Sequence, residues 1–245
     1  MPIVWIGFLV VLLCTGICYG VFWYSGIQVS EVEVQGSQVV GLEEVSQVVQ
    51  ANIEKKLLSL GSWPITSKSI FLIDKKKLSK RLLASFPGFE DVVVQKKFPK
   101  AVTVIVKERQ PLAVFCQKSD ECFLVDKYGV AFQAIEDAPL SMVVLHSTKE
   151  FSLGGAVADE AVMAMIEKVA LMLNEQFQVV VTQVALADPL VMTTQEGWLV
   201  YFDSKADHEM QLTKLQALLS EEISPTDRQN LHYIYLQYKD RAYYK

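Results

Sequence analysis

Charge is absent from the beginning of this 245-residue chain, whose first Asp, Glu, Lys or Arg is Glu31. Histidine is scarce: His146, His208 and His232 stand alone, without the spacing of metal ligands or the order of a Ser-His-Asp triad. No Gly-x-Ser-x-Gly elbow occurs. The Gly154-Gly155 pair sits in a turn before a helical pattern rather than after a strand, so no phosphate-cradling loop is readable. Carboxylate pairs such as Glu221-Glu222 fall on a polar helix end. These absences argue against an enzyme and leave no cofactor, metal or small-molecule substrate to assign.

What the start does contain is apolar. Residues 3–24 carry no charge, and as a helix they would extend about 33 Å, enough to cross a bilayer's hydrocarbon core. Trp5 lies near one end, and Phe22, Trp23 and Tyr24 crowd the other, as interface-seeking aromatics do. A soluble helix apolar on every side would need burial on every side. A cleaved signal peptide would need a basic leader and a small-x-small site, but residues 1–8 hold no Lys or Arg and no Ala-x-Ala follows Tyr24. Lipid attachment at Cys14 or Cys18 would need small residues where Leu13 and Ile17 stand. The reading is an uncleaved single-span anchor over residues 1–26, with the N-terminus cytoplasmic and the following domains outside. No Lys or Arg precedes the span, so this orientation rests on the default layout of such chains.

Cys14 and Cys18, one helical turn apart in the span, read as packing residues. Cys116 and Cys122 flank a polar turn between two apolar runs, near the closed end of a hairpin. In an extracytoplasmic domain those two thiols are placed to form a disulfide. Between Lys68 and Arg109, eleven Lys or Arg stand against four Asp or Glu, although the whole chain is −5. This basic stretch follows closely on the span, where anionic headgroups are one partner. A solvated helix face accounts for most of Lys75, Lys76, Lys77, Lys80 and Arg81. Nucleic acid is set aside, because the chain is anchored and carries no nucleic-acid-binding motif.

Along the chain, Val32 and Val34 alternate with Glu31, Glu33 and Gln35, the pattern of a half-buried strand ended by Gly36. Leu42, Val45, Val49, Ile53, Leu57 and Leu60 then recur at helical spacing, with Glu43 and Glu44 in the first turn and Gly61 as the stop. A loop with Pro64 leads to Ile70–Ile73. Asp74 caps a second helix with stripe Leu78, Leu82 and Phe86, closed by Pro87-Gly88. Residues 91–97 and 101–107 make two strands around the turn Phe98-Pro99-Lys100. The order is strand, helix, helix, strand, strand.

That order, carrying Phe71-Leu72-Ile73-Asp74, Phe86-Pro87, Lys97-Phe98-Pro99 and Val106-Lys107-Glu108-Arg109-Gln110-Pro111, resembles the POTRA domain of the FtsQ/DivIB bacterial cell-division proteins. The segment 123–132 resembles the strand and turn that open the family's second domain. Glu196–Phe202 and the Leu212, Leu215, Leu219 helix resemble its later strand and helix, and residues 233–238 take the place of its last long strand. Family members often carry Asp and Arg around the leucine of that strand, where this chain has Tyr235 and Gln237. The resemblance implies an α+β fold: a transmembrane helix (1–26), a POTRA-type β-α-α-β-β domain (27–108), and a mixed, mainly antiparallel β domain with two helices (109–245).

It also implies a function: non-catalytic scaffolding of the divisome at the septum in the bacterial inner membrane. The partners implied are other single-span division proteins of the FtsB/DivIC and FtsL types. The mechanism expected is strand addition at a sheet edge, reinforced by packing between spans. The partner surface falls on residues 232–244, with Tyr233, Tyr235, Gln237, Tyr238, Tyr243 and Tyr244 as candidates; the tyrosines either meet a partner or pack the sheet. Glu108, Arg109 and Pro111 form an interdomain hinge or a direct contact, since Pro111 holds Gln110 extended. The alternative function is a POTRA-containing envelope protein of transport or secretion.

Overall fold

The computed structural model describes residues 2–38, 40–60, 63–117, 121–139, 141–148, 151–239 and 241–245. The chain divides into two compact units, Met1–Arg109 and Gln110–Lys245. Helix α1 (Pro2–Trp23) opens the first unit. Its window Trp5–Trp23 has a mean hydropathy of 2.2, and among the described residues it is the one helix long and apolar enough to cross a membrane. An α-helix leaves its last carbonyls without partners. Here Ser69 Oγ donates to Val21 O (2.6 Å), while Ser67 Oγ (2.6 Å) and Gln28 Nε2 (2.8 Å) both donate to Phe22 O.

After the span come β1 (Glu31–Gln35), α2 (Leu42–Ile53), β2 (Lys55–Leu60), β3 (Trp63–Ser67), α3 (Lys75–Ser85), β4 (Phe89–Lys97) and β5 (Ala101–Glu108). Strand β5 is central, parallel to β1 and antiparallel to β4. Val102, Val104 and Val106 of β5 pack with Val45 and Val49 of α2 and Leu78 and Leu82 of α3 in one core. On β4 the buried set passes from Phe89 to Val92 and Val94. A bulge between Phe89 and Asp91 allows that odd-to-even change. The cap expected at Asp74 is present, its carboxylate accepting from Lys77 N at 3.1 Å.

The structure corrects the first helix. It ends at Ile53, and Leu57 and Leu60 fall on β2, which pairs antiparallel with β3, the segment read as a loop around Pro64. Leu57 and Leu60 continue the helical spacing of Ile53, so periodicity alone cannot end the helix. The competing pattern is a cross-strand partner, with Ile65 and Thr66 as β-branched residues opposite Leu58 and Lys56. The stop expected at Gly61 lies outside the described residues.

The second unit is built on a mixed sheet of β6 (Ala113–Cys116), β7 (Cys122–Val125), β8 (Ala131–Ile135), β9 (Val143–His146), β10 (Val181–Ala185), β11 (Leu190–Thr194), β12 (Leu199–Phe202), β13 (Tyr233–Tyr235) and β14 (Tyr243–Tyr244). Their spatial order is β14-β13-β12-β11-β10-β9-β6-β7-β8, with five antiparallel and three parallel pairings. Helices α4 (Glu160–Phe177) and α5 (His208–Ala217) complete the α+β unit. Met163, Ile166, Val169 and Leu173 of α4 and Leu215 of α5 share a core with Phe115, Leu145, Met192, Trp198 and Phe202. A disulfide joins Cys116 and Cys122, which face each other across β6 and β7.

The β7–β8 turn is closed by Asp126, buried, whose Oδ1 accepts from Tyr128 N (3.0 Å) and Val130 N (2.8 Å). Gly129 holds a φ of +77°, and a Cβ there would lie 2.0 Å from the Ala158 carbonyl oxygen. Both the backbone conformation and the close approach require glycine. Gly129→Ala is expected to destabilise the second unit by on the order of 2 kcal/mol. A fall in the urea midpoint of the solubilised full chain measures it, and an unchanged midpoint would refute the reading.

Candidate partner-binding edge

The margin of the large sheet ends on β12, β13 and β14. Strand β13 follows a period of two: Ile234 is fully buried and Leu236 nearly so, while Tyr233 and Tyr235 take the opposite face. Its parallel register puts Tyr235 beside Tyr201 of β12, and Leu236 N extends the ladder to Tyr201 O (2.9 Å). The ring centroids of Tyr201 and Tyr235 lie 4.3 Å apart, and those of Tyr233 and Tyr235 4.8 Å. Partial burial, then the neighbouring Tyr201, raises the Tyr235 phenol above its ordinary value, so it stays a neutral hydrogen-bonding group.

Strand β14 pairs antiparallel with β13, Tyr243 opposite Tyr235 and Tyr244 opposite Ile234. Tyr233 and Lys245 exchange backbone hydrogen bonds (3.3 and 3.2 Å). Antiparallel ladders alternate, so the next pair, Ile234 and Tyr244, turns its backbone groups away from each other. The N–H and C=O of Tyr244 therefore point out of the sheet at its margin. Tyr238 meets Tyr243 edge to face at 5.4 Å. Lys214 Nζ, reaching from α5, donates to Tyr238 O (2.8 Å) and Lys239 O (2.5 Å), holding the connection between β13 and β14.

Tyr233 and Tyr235 thus form one ring pair and Tyr238 and Tyr243 another, with Tyr243 opposite Tyr235 in register and Tyr238, Tyr243 and Tyr244 about half exposed. Gln237 lies just past β13 and is half-buried. The long strand expected over 233–238 is shorter, since β13 stops at Tyr235 and the chain returns as β14. Residue 240, inside the expected surface, lies outside the described residues. Sequence reasoning missed Tyr201 and Lys214. The outward position of Tyr201 in the alternation Leu199–Phe202 was the available signal, but its neighbour on β13 is set by a nonlocal parallel register.

The other candidates lie elsewhere. Glu108 ends β5, and its Oε1 accepts from Gln38 N (2.9 Å), Ser37 Oγ (3.1 Å) and, at longer range, Val40 N (3.4 Å). Arg109 N donates to Gly88 O (2.9 Å) and Arg109 Nε to Pro87 O (3.0 Å). These two residues therefore close the first unit upon itself, and Pro111 follows in the second. Of the histidines, His208 lies 3.0 Å from Ser204 O through Nε2, and among the described residues no group of three metal-ligating side chains occurs.

A family model described as "POTRA domain, FtsQ-type" matches residues 27–109. Three curated proteins named "Cell division protein FtsQ" are similar to the chain. The one from Streptomyces bingchenggensis (strain BCW-1) is 25% identical over 55% of this chain and 45% of its own length. The one from Streptomyces collinus is 25% identical over 61% of this chain and 52% of its own. The one from Agrobacterium fabrum is 27% identical over 54% of this chain and 37% of its own. The chain thus spans about half the length of the curated relatives it matches, or less.

Replacing Glu108 with Ala removes the acceptor that gathers Ser37, Gln38 and Val40. The expected loss is about 2 kcal/mol, the scale of a carboxylate-to-backbone hydrogen bond. Faster amide exchange at Gln38 than at Val104 in the variant reports a local opening; equal protection at Gln38 in both proteins would contradict it.

Proposed function

The chain carries an FtsQ-type POTRA domain and belongs to the FtsQ/DivIB family of cell-division proteins, and from that premise we propose that it is a non-catalytic, single-span scaffold of the divisome. The POTRA and β domains stand outside the cytoplasmic membrane at the septum, with the N-terminus inside. The partners are single-span division proteins of the FtsB/DivIC and FtsL types, and they support septal wall assembly through this chain. The observation that carries the reading is the open margin at β14. Its outward backbone groups at Tyr244 accept a partner strand, and Tyr235, Tyr238 and Tyr243 offer rings to the partner's side chains. Tyrosine suits this work because a rigid ring contributes contact area while ordering few torsions. Residues 108–111 join the two domains.

The test separates backbone pairing from side-chain contact. Proline at an edge strand removes an outward N–H while leaving the inward ladder intact. Tyr244→Pro is expected to weaken binding of an FtsB/DivIC-type ectodomain to the full chain about fivefold beyond the effect of Tyr244→Ala, the equivalent of about 1 kcal/mol for one hydrogen bond. Titration by biolayer interferometry reads the difference. Equal affinities for the two variants would remove strand addition at β14 from the mechanism.

A further inference from the structure

The first unit carries a second surface that the edge-binding reading does not use. Phe71 and Phe98 are 53% and 61% exposed, and their rings pack on each other at 5.5 Å. Two exposed phenylalanines stacked together form an apolar knob rather than scattered surface residues. Cations surround it. Lys96 Nζ lies 3.4 Å from Phe71 O, and partial burial, then the ammonium groups of Lys75 and Lys55, lower the pKa of Lys96. The carboxylate set against this trio is Asp74, already engaged as the cap of α3. The nearby Lys68, Lys97 and Lys100 are paired with Glu54, Glu33 and Glu31. Lys55, Lys75 and Lys96 thus contribute excess positive charge beside the knob, with Lys77 against the same Asp74 carboxylate.

The position of the knob follows from hydrogen bonds to the span. Ser69 holds the Val21 carbonyl in the last turn of α1, and Phe71 is two residues further on, within about 7 Å along the chain. Lys55 lies opposite Ser67, which holds the Phe22 carbonyl. The turn bearing Phe98 is fixed just past the span, since Lys100 O accepts from Ser30 N and Glu31 N (3.0 and 3.3 Å). The knob and its lysines thus sit by the end of the helix where Trp23 and Tyr24 mark a membrane interface.

We infer that the Phe71–Phe98 pair is a second membrane contact, its rings seated in the interfacial layer while Lys55, Lys75 and Lys96 meet anionic lipid headgroups. A peripheral apolar anchor with adjacent cations is the combination that binds an anionic bilayer surface. With α1 as the first attachment, the bilayer is always at hand, so weak contacts suffice to hold the domain down. The consequence is a POTRA domain that rests on the bilayer rather than swinging about the end of its helix.

Nitroxide labels test this in the full chain with Cys14→Ser and Cys18→Ser and the disulfide intact. Single labels go at Phe71→Cys, Phe98→Cys or, as an exposed control in α4, Leu171→Cys. Each protein is reconstituted into phosphatidylcholine vesicles with or without phosphatidylglycerol, and flotation verifies insertion of the span separately. The expected result is a ratio of oxygen to nickel-chelate accessibility several-fold higher at 71 and 98 than at 171, and highest with phosphatidylglycerol. Combining Lys55→Gln, Lys75→Gln and Lys96→Gln should lower the docked population up to about a hundredfold, at roughly fivefold per lysine. Nickel accessibility at 71 and 98 equal to that at 171 in both lipids would overturn the inference and leave the knob to a protein partner. A depth indifferent to the three lysines would overturn the headgroup contact.

Discussion

A backbone N–H or C=O taken from water without a partner is expensive, and where this chain completes those groups decides its architecture. The terminal carbonyls of the span are completed by Ser67, Ser69 and Gln28, so the helix is bonded directly to the domain that follows it. The loop after β1 is gathered by the Glu108 carboxylate, the β7–β8 turn by Asp126, and the return to β14 by Lys214. Each is a polar side chain placed where a helix or strand ends and its ladder runs out. Among the described strands, edges stay open at β14 and β8 of the large sheet and at β1 and β4 of the small one, and an unfinished ladder can take up a further strand.

The two units meet this requirement with different proportions of sheet. The three-stranded sheet of the first is lined by α2 and α3, whose apolar stripes face its central valines. The nine-stranded sheet of the second mixes parallel and antiparallel pairs. Parallel neighbours require a crossover, and α4 lies in the connection from β9 to β10 while α5 lies between β12 and β13. That crossover carries β13, with its tyrosines, to the margin beside β12. A single-span protein built this way offers two kinds of surface with separate chemistry: aromatic and hydrogen-bonding at the sheet margin, aromatic and cationic beside the span.

Legibility in the sequence tracked how local each determinant was. The span, the cap at Asp74, the strands on either side of Phe98-Pro99 and the facing of Cys116 and Cys122 are short-range patterns of charge, period and turn chemistry. The tyrosine-rich segment stood out by composition. What failed was the helix carried through to Leu60, because Leu57 and Leu60 continue the helical spacing and only the pairing of β2 with β3, where Leu60 lies opposite Trp63, makes the segment a strand. Tyr201 escaped for the same reason, its neighbour Tyr235 being more than thirty residues away in sequence.

By itself the sequence determined which segments are apolar, where charge begins, which turns need glycine or aspartate, and that the chain is rich in tyrosine near residue 240. Those properties arise from side chains acting on their own backbone within a turn or two. Only the tertiary structure decided that β14 covers β13, that Tyr244 is the residue whose backbone faces outward, and that Phe71 finds Phe98 beside the end of the span. Register between distant strands and contact between distant rings come from burying one shared core, and no local pattern encodes which partner that core will supply.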